Sequence, residues 1–302
     1  MKLAVVGHVT YDMIYHEEKP SGWLLGGTAS YVAFSLAGLG AGPWLVSKVG
    51  WDFDSQDLAL LSSVASQLRI ERAHAPTTKF ELRYVGGRRD LKLLARCEPL
   101  SSQELQDLEA VDALLLGPVA GEVEPGLIEE VVRAAPCFKA AVLQGFLRRF
   151  DPGGVVRLEA SEEALKALSS MDLLCGSEEE VLVLAGATGL EEALRRVARL
   201  GVRYVAATMG ERGSWLYTDG VLLKAPSYPG TVAVDPTGAG DAYAGVLTFL
   251  LASGEEPSWS MSMATAVASL VVETLGPASV AVRRRVEERA STIAELLEAL
   301  PL

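Results

Sequence analysis

Short apolar runs alternate with amphipathic stretches along nearly the whole chain. Runs at Leu3–Val9, Trp44–Val49, Ala113–Leu116, Ala140–Leu143, Leu173–Cys175 and Tyr204–Thr208 predict strands buried on both faces. Between them, apolar positions at helical spacing predict helices near Thr28–Leu39, Asp54–Ser66, Ser101–Leu108, Gly126–Ala134, Glu162–Leu168 and Glu191–Leu200. Such alternation predicts an α/β fold, a mostly parallel central sheet with helices on both faces. Right-handed crossovers then gather the loops that follow the strands along one edge, where ligands bind in folds of this kind.

Two segments break the rhythm, at about 11–25 and 77–96, where β-like stretches carry polar interruptions. Thr78–Val85 and Leu91–Ala95 flank a turn, Gly86 to Asp90, and read as a hairpin outside the main sheet, a small β lid. A second hairpin joins Ser214–Thr218 to Val221–Ala225 through Asp219-Gly220. Beyond Gly238 the pattern is helical, at Gly240–Ala252, Ser258–Thr274 and Val282–Leu300. With no internal repeat or low-complexity linker, residues 1–302 read as a single domain carrying the lid.

With 302 residues, 49% hydrophobic and 22% charged, the chain can bury a sizeable core. Its 27 Lys and Arg against 39 Asp and Glu give a net charge of −12, a field that repels phosphodiester backbones and anionic lipid. Nucleic acid and membrane surfaces are therefore not expected partners, and an anionic nucleotide would need a local attraction. Cys97, Cys137 and Cys175 form neither a CxxC nor a zinc-type spacing, which suits a reducing cytoplasm. The opening apolar run is too short for a signal peptide, and no later one approaches the ~18 residues of a membrane span. A cytoplasmic, soluble protein is the expectation. His8, His16 and His74 show no ligand spacing, and His8 reads as structural filling.

Candidate chemistry concentrates in Asp235-Pro236-Thr237-Gly238-Ala239-Gly240-Asp241, which leads into an apolar helix. Glycines at a loop-to-helix junction leave backbone N–H groups uncovered, and the helix dipole adds partial positive charge. Such a site holds a phosphate without any Lys, while a first-turn Asp can accept a hydroxyl proton. That combination suits phosphoryl transfer, although an ordinary helix start uses the same residue types. A dinucleotide fingerprint fails on spacing, because Gly245 follows Gly240 by five positions rather than three, and no GxxxxGK[ST] occurs.

The segment DPTGAGDAYAGV resembles the C-terminal signature of the ribokinase-like (PfkB) carbohydrate kinases. Gly26-Gly27-Thr28-Ala29-Ser30-Tyr31, leading to Leu39-Gly40, resembles the N-terminal one. Asp12, the lid hairpin, Ser177-x-x-Glu180 and Thr208-Met209-Gly210 follow in the family's order across nearly the whole chain. The resemblance implies a ribokinase-like three-layer sandwich and an ATP-dependent phosphotransferase with an alcohol acceptor. It implies Asp241 as the catalytic base and the amides of Gly238, Ala239 and Gly240 as the anion hole. Asp12 would bind acceptor hydroxyls as an ionised carboxylate, and Gly26 and Gly27 would let the backbone approach the same substrate. A loop Asp and a plain turn remain the simpler alternatives.

Ser177 and Glu180 match the family's Asn-x-x-Glu element, whose Glu organises Mg²⁺ through water. Here Ser replaces Asn, and S-x-x-E before an apolar helix is also a capping box. Thr208, Gly210 and Gly213 match the nucleotide-binding loop, or form an ordinary strand-end turn. Asp235 matches a position that binds a monovalent cation in some members, and Asp-Pro-Thr is also a good turn starter. Lid-mediated dimers occur in the family, which admits a homodimer here.

Departures from the sugar-kinase pattern bear on the acceptor. Tyr31 stands where Asn is usual, and Gln144-Gly145-Phe146-Leu147-Arg148 stands where Asp-Pro-Asn-Leu-Arg is common. These variants resemble the myo-inositol 3-kinase branch, as do Phe150-Asp151, the lid stretch Leu91 to Pro99, and Gly117-Pro118-Val119 with Glu122 beyond. Asp12, Gln144 and Arg148 would then contact the hydroxyls of myo-inositol. For Gln144 a solvated strand end, and for Arg148 a surface salt bridge, are the competing readings. Phe80 and Arg83 of the lid stay outside the assignment. Two other functions compete: a sugar or nucleoside kinase of the same family, and a catalytically silent ligand-binding protein on the same fold. An intact Asp241 and Gly238–Gly240 speak against the second.

Overall fold

Successive side chains of the opening strand, Leu3–Val6, enter different cores: Leu3 and Val5 join one, Ala4 and Val6 the other. Ala113–Leu116 divides in the same way, as the two-residue period of a strand requires when both faces are covered. The computed structural model describes residues 1–86, 88–106, 108–134, 137–277 and 282–301.

From one edge the main sheet runs Gln67–Arg72, Trp44–Val49, Leu3–Val6, Ala113–Leu116, Phe138–Val142, Leu173–Ser177 and Tyr204–Thr208, all parallel. Ser214–Thr218, Val221–Ala225 and Glu298–Pro301 continue it antiparallel. Helices Thr28–Gly38, Ala239–Ala252, Pro257–Val271 and Arg283–Leu296 share one core with the sheet. Helices Pro125–Ala134, Glu162–Leu168, Glu178–Ala185 and Leu190–Ala198 share the other, which gives three layers. Strand order reverses at Leu3–Val6, since the chain moves first to Trp44–Val49 on one side and later to Ala113–Leu116 on the other. The crevice beyond the carboxyl ends of those strands is where such sheets take ligands.

A separate four-stranded sheet, in the order Lys19–Gly26, Thr10–His16, Lys79–Val85, Arg88–Ala95, covers that crevice. Its inner face buries Ile14, Phe80 and Leu82 against Val119 and Ala120. This is the lid expected at about 11–25 and 77–96. Gly87, inside the expected turn, lies outside the described residues.

Several boundaries differ from expectation for identifiable reasons. Of the expected helix Ser101–Leu108, residues 102–106 form turns and Leu108 opens a short 3₁₀ turn, Leu108–Ala110. There the Glu104 carboxylate accepts from the Ser101 amide at 2.7 Å and ion-pairs with the buried Lys48 at 2.6 Å, which holds the segment to the sheet. The expected helix Val282–Leu300 stops at Leu296, and Leu297 turns extended so that Glu298–Pro301 can zip onto Val221–Lys224. The first strand ends at Val6 rather than Val9, and the short hairpin of Arg148–Phe150 with Val156–Leu158 was not anticipated. Among the described residues no helix is long and apolar enough to cross a membrane.

Candidate active site

The signature loop runs into the helix Ala239–Ala252, most of whose side chains are buried, which fixes the helix start against the core. Gly238 caps it with φ 79°, and a Cβ there would sit 2.1 Å from the Tyr31 ring, so only glycine fits. The Ala239 amide makes a 3.3 Å bond to the Pro236 carbonyl, whereas the amides of Gly238 and Gly240 have no backbone partner among the described residues. Two free donors at a helix N-terminus form a place for an anion.

Asp241, one residue further on, joins a cluster drawn from three distant parts of the chain. Its Oδ1 accepts from the Thr28 hydroxyl at 2.6 Å and from Gln144 Nε2 at 2.8 Å. Burial pushes this carboxyl above the usual carboxylate range; the Thr28 bond, Arg148 and Arg89 pull it down, and the charge of Glu180 pushes it up. Gln144 is more than a solvated strand end. It opens a one-turn helix, Gln144–Leu147, and its Oε1 accepts from Arg148 Nη2 at 2.5 Å. Arg148 is buried rather than paired on the surface, with Nη1 donating to the Val119 carbonyl at 3.0 Å and its guanidinium over the Phe80 ring. A buried guanidinium held by neutral acceptors is costly, and structures keep such groups chiefly at working sites.

Asp12 is 6% exposed, and burial pushes its carboxyl up to about 7, with Asp241 adding to the rise while the Thr10 hydroxyl bond and Arg148 oppose it. It is thus not simply ionised near neutral pH, contrary to expectation. Gly26 does not line the cavity; its missing side chain makes room for Asp12, whose Oδ2 would lie 2.2 Å from a Cβ there. Gly27 does line it. The cavity has Thr10, Asp12, Arg89, Gln144, Arg148, Thr237 and Asp241 in its polar part and Phe80, Leu82, Leu91 and Val119 in its apolar part. With the lid closed its volume is about 50 Å³, far below the ~300 Å³ at which ligand pockets usually begin. The Tyr84 hydroxyl meets the Thr237 hydroxyl at 2.9 Å and fastens lid to signature loop.

On the other side of the helix start, Ser177 and Thr208 are register partners on adjacent parallel strands. Ser177 and Glu180 form a complete capping box, with the Ser177 amide donating to Glu180 Oε2 at 2.8 Å. The structural role is thus realised, and the second Glu180 oxygen has no hydrogen-bond partner among the described residues. Gly210 and Gly213 bound a short 3₁₀ turn after Thr208, tied to the capping-box helix by an ion pair between Arg212 and Glu178. Thr208 lies near the helix start, its Oγ1 3.8 Å from where a Gly240 Cβ would stand. Asp235 is buried; Oδ1 accepts from Thr237, while Oδ2 is buried without a partner among the described residues.

Thr28, Thr10, Tyr84 and Arg89 also belong to the site and were not picked out from sequence. Thr28 had a signal, a hydroxyl immediately after Gly-Gly at a helix start. Arg89 lines the cavity from a lid tip that reads only as a turn. Arg83, by contrast, pairs with Glu81 and stacks over Tyr15, away from the cavity lining.

Residues 1–283 match the pattern of the pfkB family carbohydrate kinases. The chain belongs to that family. The inositol 3-kinase of Oryza sativa subsp. japonica is 32% identical over 311 residues, covering 95% of this chain and 73% of that protein. The cytidine kinase of Thermococcus kodakarensis is 28% identical over 255 residues, covering 81% and 86%. In fold, the chain is similar to a pyrophosphate-dependent kinase of the ribokinase family complexed with a pyrophosphate analog and myo-inositol, at TM-score 0.81 and 22% identity, covering 95% of this chain and 99% of that one. A putative ribokinase II from E. coli, in complex with ATP and Mg²⁺, superposes at TM-score 0.74 and 21% identity, covering 96% and 99%. The pfkB family protein described here is thus a ribokinase-like α/β phosphotransferase that acts on a hydroxyl group of a carbohydrate or nucleoside.

Proposed function

We propose that this pfkB kinase transfers a phosphoryl group from ATP, as its Mg²⁺ complex, to a hydroxyl of myo-inositol. One observation carries the proposal: Asp241 stands at the wall of a lidded cavity, between a neutral-polyol surface and the uncovered amides of a helix N-terminus. Asp241 serves as base, and the amides of Gly238 and Gly240, with Ala239 between them, receive the phosphoryl charge. Asp12 and Arg148 offer an acceptor and a donor to ring hydroxyls, with Gln144 beside them. Inositol 3-kinase relatives that align with 95% and 91% of this chain support the choice of a cyclitol.

For the donor, Ser177, Glu180, Thr208, Gly210 and Gly213 lie together beyond the same helix start. Among the described residues no three His, Cys, Asp or Glu side chains could jointly hold a metal. The chain's share of an Mg²⁺ site is therefore small, and the Glu180 oxygen left over by the capping box fits a water of an ion that arrives with the phosphates. Bound Mg²⁺ would neutralise phosphate charge. The unpartnered Asp235 Oδ2 fits a monovalent cation in the same way. The exposed Trp23 and Val85 of the lid suit a homodimer, which light scattering would test.

The deciding experiment is ADP release with MgATP across myo-inositol, other cyclitols, ribose, fructose 6-phosphate and nucleosides, beside an Asp241→Asn control and a pyrophosphate donor arm. Myo-inositol should give the highest kcat/KM, and Asp241→Asn should lose at least ~10²-fold. Turnover of a nucleoside or ribose without turnover of any inositol overturns the acceptor; transfer from pyrophosphate alone overturns the donor.

A further inference from the structure

Both hydrogen bonds to the Asp241 carboxylate fall on one oxygen. Thr28 Oγ1 and Gln144 Nε2 each donate to Oδ1, while Oδ2 has no hydrogen-bond partner among the described residues and its residue lines the cavity. The donors are themselves fixed. Gln144 Nε2 also lies 3.0 Å from Thr28 Oγ1, and its oxygen faces Arg148, which can only donate. That sets the amide orientation without ambiguity. Thr28, accepting from Gln144, has its single hydrogen left for Asp241. Thr28 is fully buried at the first turn of its helix, and the absence of a side chain at Gly117 makes room for it: a Cβ there would lie 2.5 Å from Thr28 Cγ2.

Resting on Asp241 as the base, we propose that Thr28 and Gln144 are positioning residues that lock Asp241 Oδ1 and leave Oδ2 as the atom that takes the acceptor's proton. In the transfer, the acceptor O–H bond breaks and its proton passes to Oδ2, the acceptor oxygen bonds to phosphorus, and the bond between phosphorus and the departing ADP oxygen breaks. A carboxylate held in one orientation at the cavity wall lowers the reorganisation the reaction requires.

The Thr28 bond also favours the ionised form of the base. The other charged or titratable groups acting on Asp241 are Arg148, Arg89, Glu180, Asp12 and Tyr31, from the strand-end turn, the lid, the capping-box helix, the lid's first strand and the first helix. None is altered by a change at Thr28.

The test is Thr28→Val, which keeps the branched shape and deletes the hydroxyl, measured by steady-state kinetics from acid to alkaline pH with Thr28→Ser alongside. Loss of a hydrogen bond to a charged group predicts a fall in kcat of about tenfold to a hundredfold. The acid limb of kcat should move to higher pH, KM for the acceptor should change far less than kcat, and Thr28→Ser should recover most of the turnover. Should Thr28→Val fail to fold, Thr28→Ala, which only removes atoms, is read in the same way. Wild-type kcat with an unmoved acid limb in the valine or alanine variant, while Asp241→Asn is inactive, overturns the positioning role alone. An active Asp241→Asn instead removes the base itself, whatever Thr28 does.

Discussion

Replacing Asp12 with Asn should stabilise the unliganded protein at neutral and alkaline pH and leave its stability in acid nearly unchanged. The carboxyl is raised from 3.8 to about 7, chiefly by burial. Between those two values the unfolded chain is ionised while the folded protein retains the proton. The folded state therefore loses stability as pH rises from about 4 to about 7, and the loss is complete above that range. A shift of roughly three pKa units at ~1.4 kcal/mol each corresponds to about 4 kcal/mol at most. Asn keeps an Oδ1 to accept the Thr10 hydroxyl, which Asp12 now accepts at 2.9 Å, so the packing around it is preserved. Urea unfolding of both proteins at a series of pH values gives the difference directly. The two curves should coincide near pH 4 and separate progressively toward pH 8, with the variant the more stable. A separation of the same size at every pH would refute the burial argument, since it would come from packing rather than ionisation.

On the proposed role of Asp12 as acceptor of substrate hydroxyl bonds in its ionised form, the acceptor's KM should fall as pH rises through about 7, and this dependence should vanish in Asp12→Asn. Gly238→Ala combines a left-handed φ of 79° with an overlap on the Tyr31 ring and should cost at least ~10²-fold in turnover, read by the same ADP assay. Tyr84→Phe keeps the stacking on His16 but deletes the bond to Thr237, worth ~1 kcal/mol; the lid should open about fivefold more often, seen as faster amide exchange in Lys79–Val85.

What was legible in the sequence was what local pattern controls. Ala113–Leu116 and Tyr204–Thr208 are found as expected because strands buried on both faces read as apolar runs, and Trp44–Val49 is found although Ser47 and Lys48 interrupt its run. The Asp219-Gly220 hairpin follows from two residues that tolerate positive φ, at 48° and 80°. Glu298–Pro301 was hidden because all four residues are exposed and the strand exists only through pairing with Val221–Lys224. Gln67–Arg72 was hidden by its charges, which an edge strand accommodates. In the site, Asp241 and the glycines before it stand in one short motif. The roles of Thr28 and Gln144 depend instead on partners 213 and 97 residues away from them, respectively, which no local spacing encodes. Ser177 and Glu180 supported two readings from sequence, and the completed capping box establishes one of them in the fold.

With the lid shut, the enclosure beneath it has room for solvent alone. An acceptor can enter only during excursions of the four-stranded cover, so saturation in the test tube reports two equilibria at once: how well the bare chamber holds its guest, and how often the door stands ajar. Drift at Tyr84, which fastens the cover through Thr237 but does not line the chamber, retunes the second alone, so that two kinases with identical chambers can serve cells with very different acceptor concentrations.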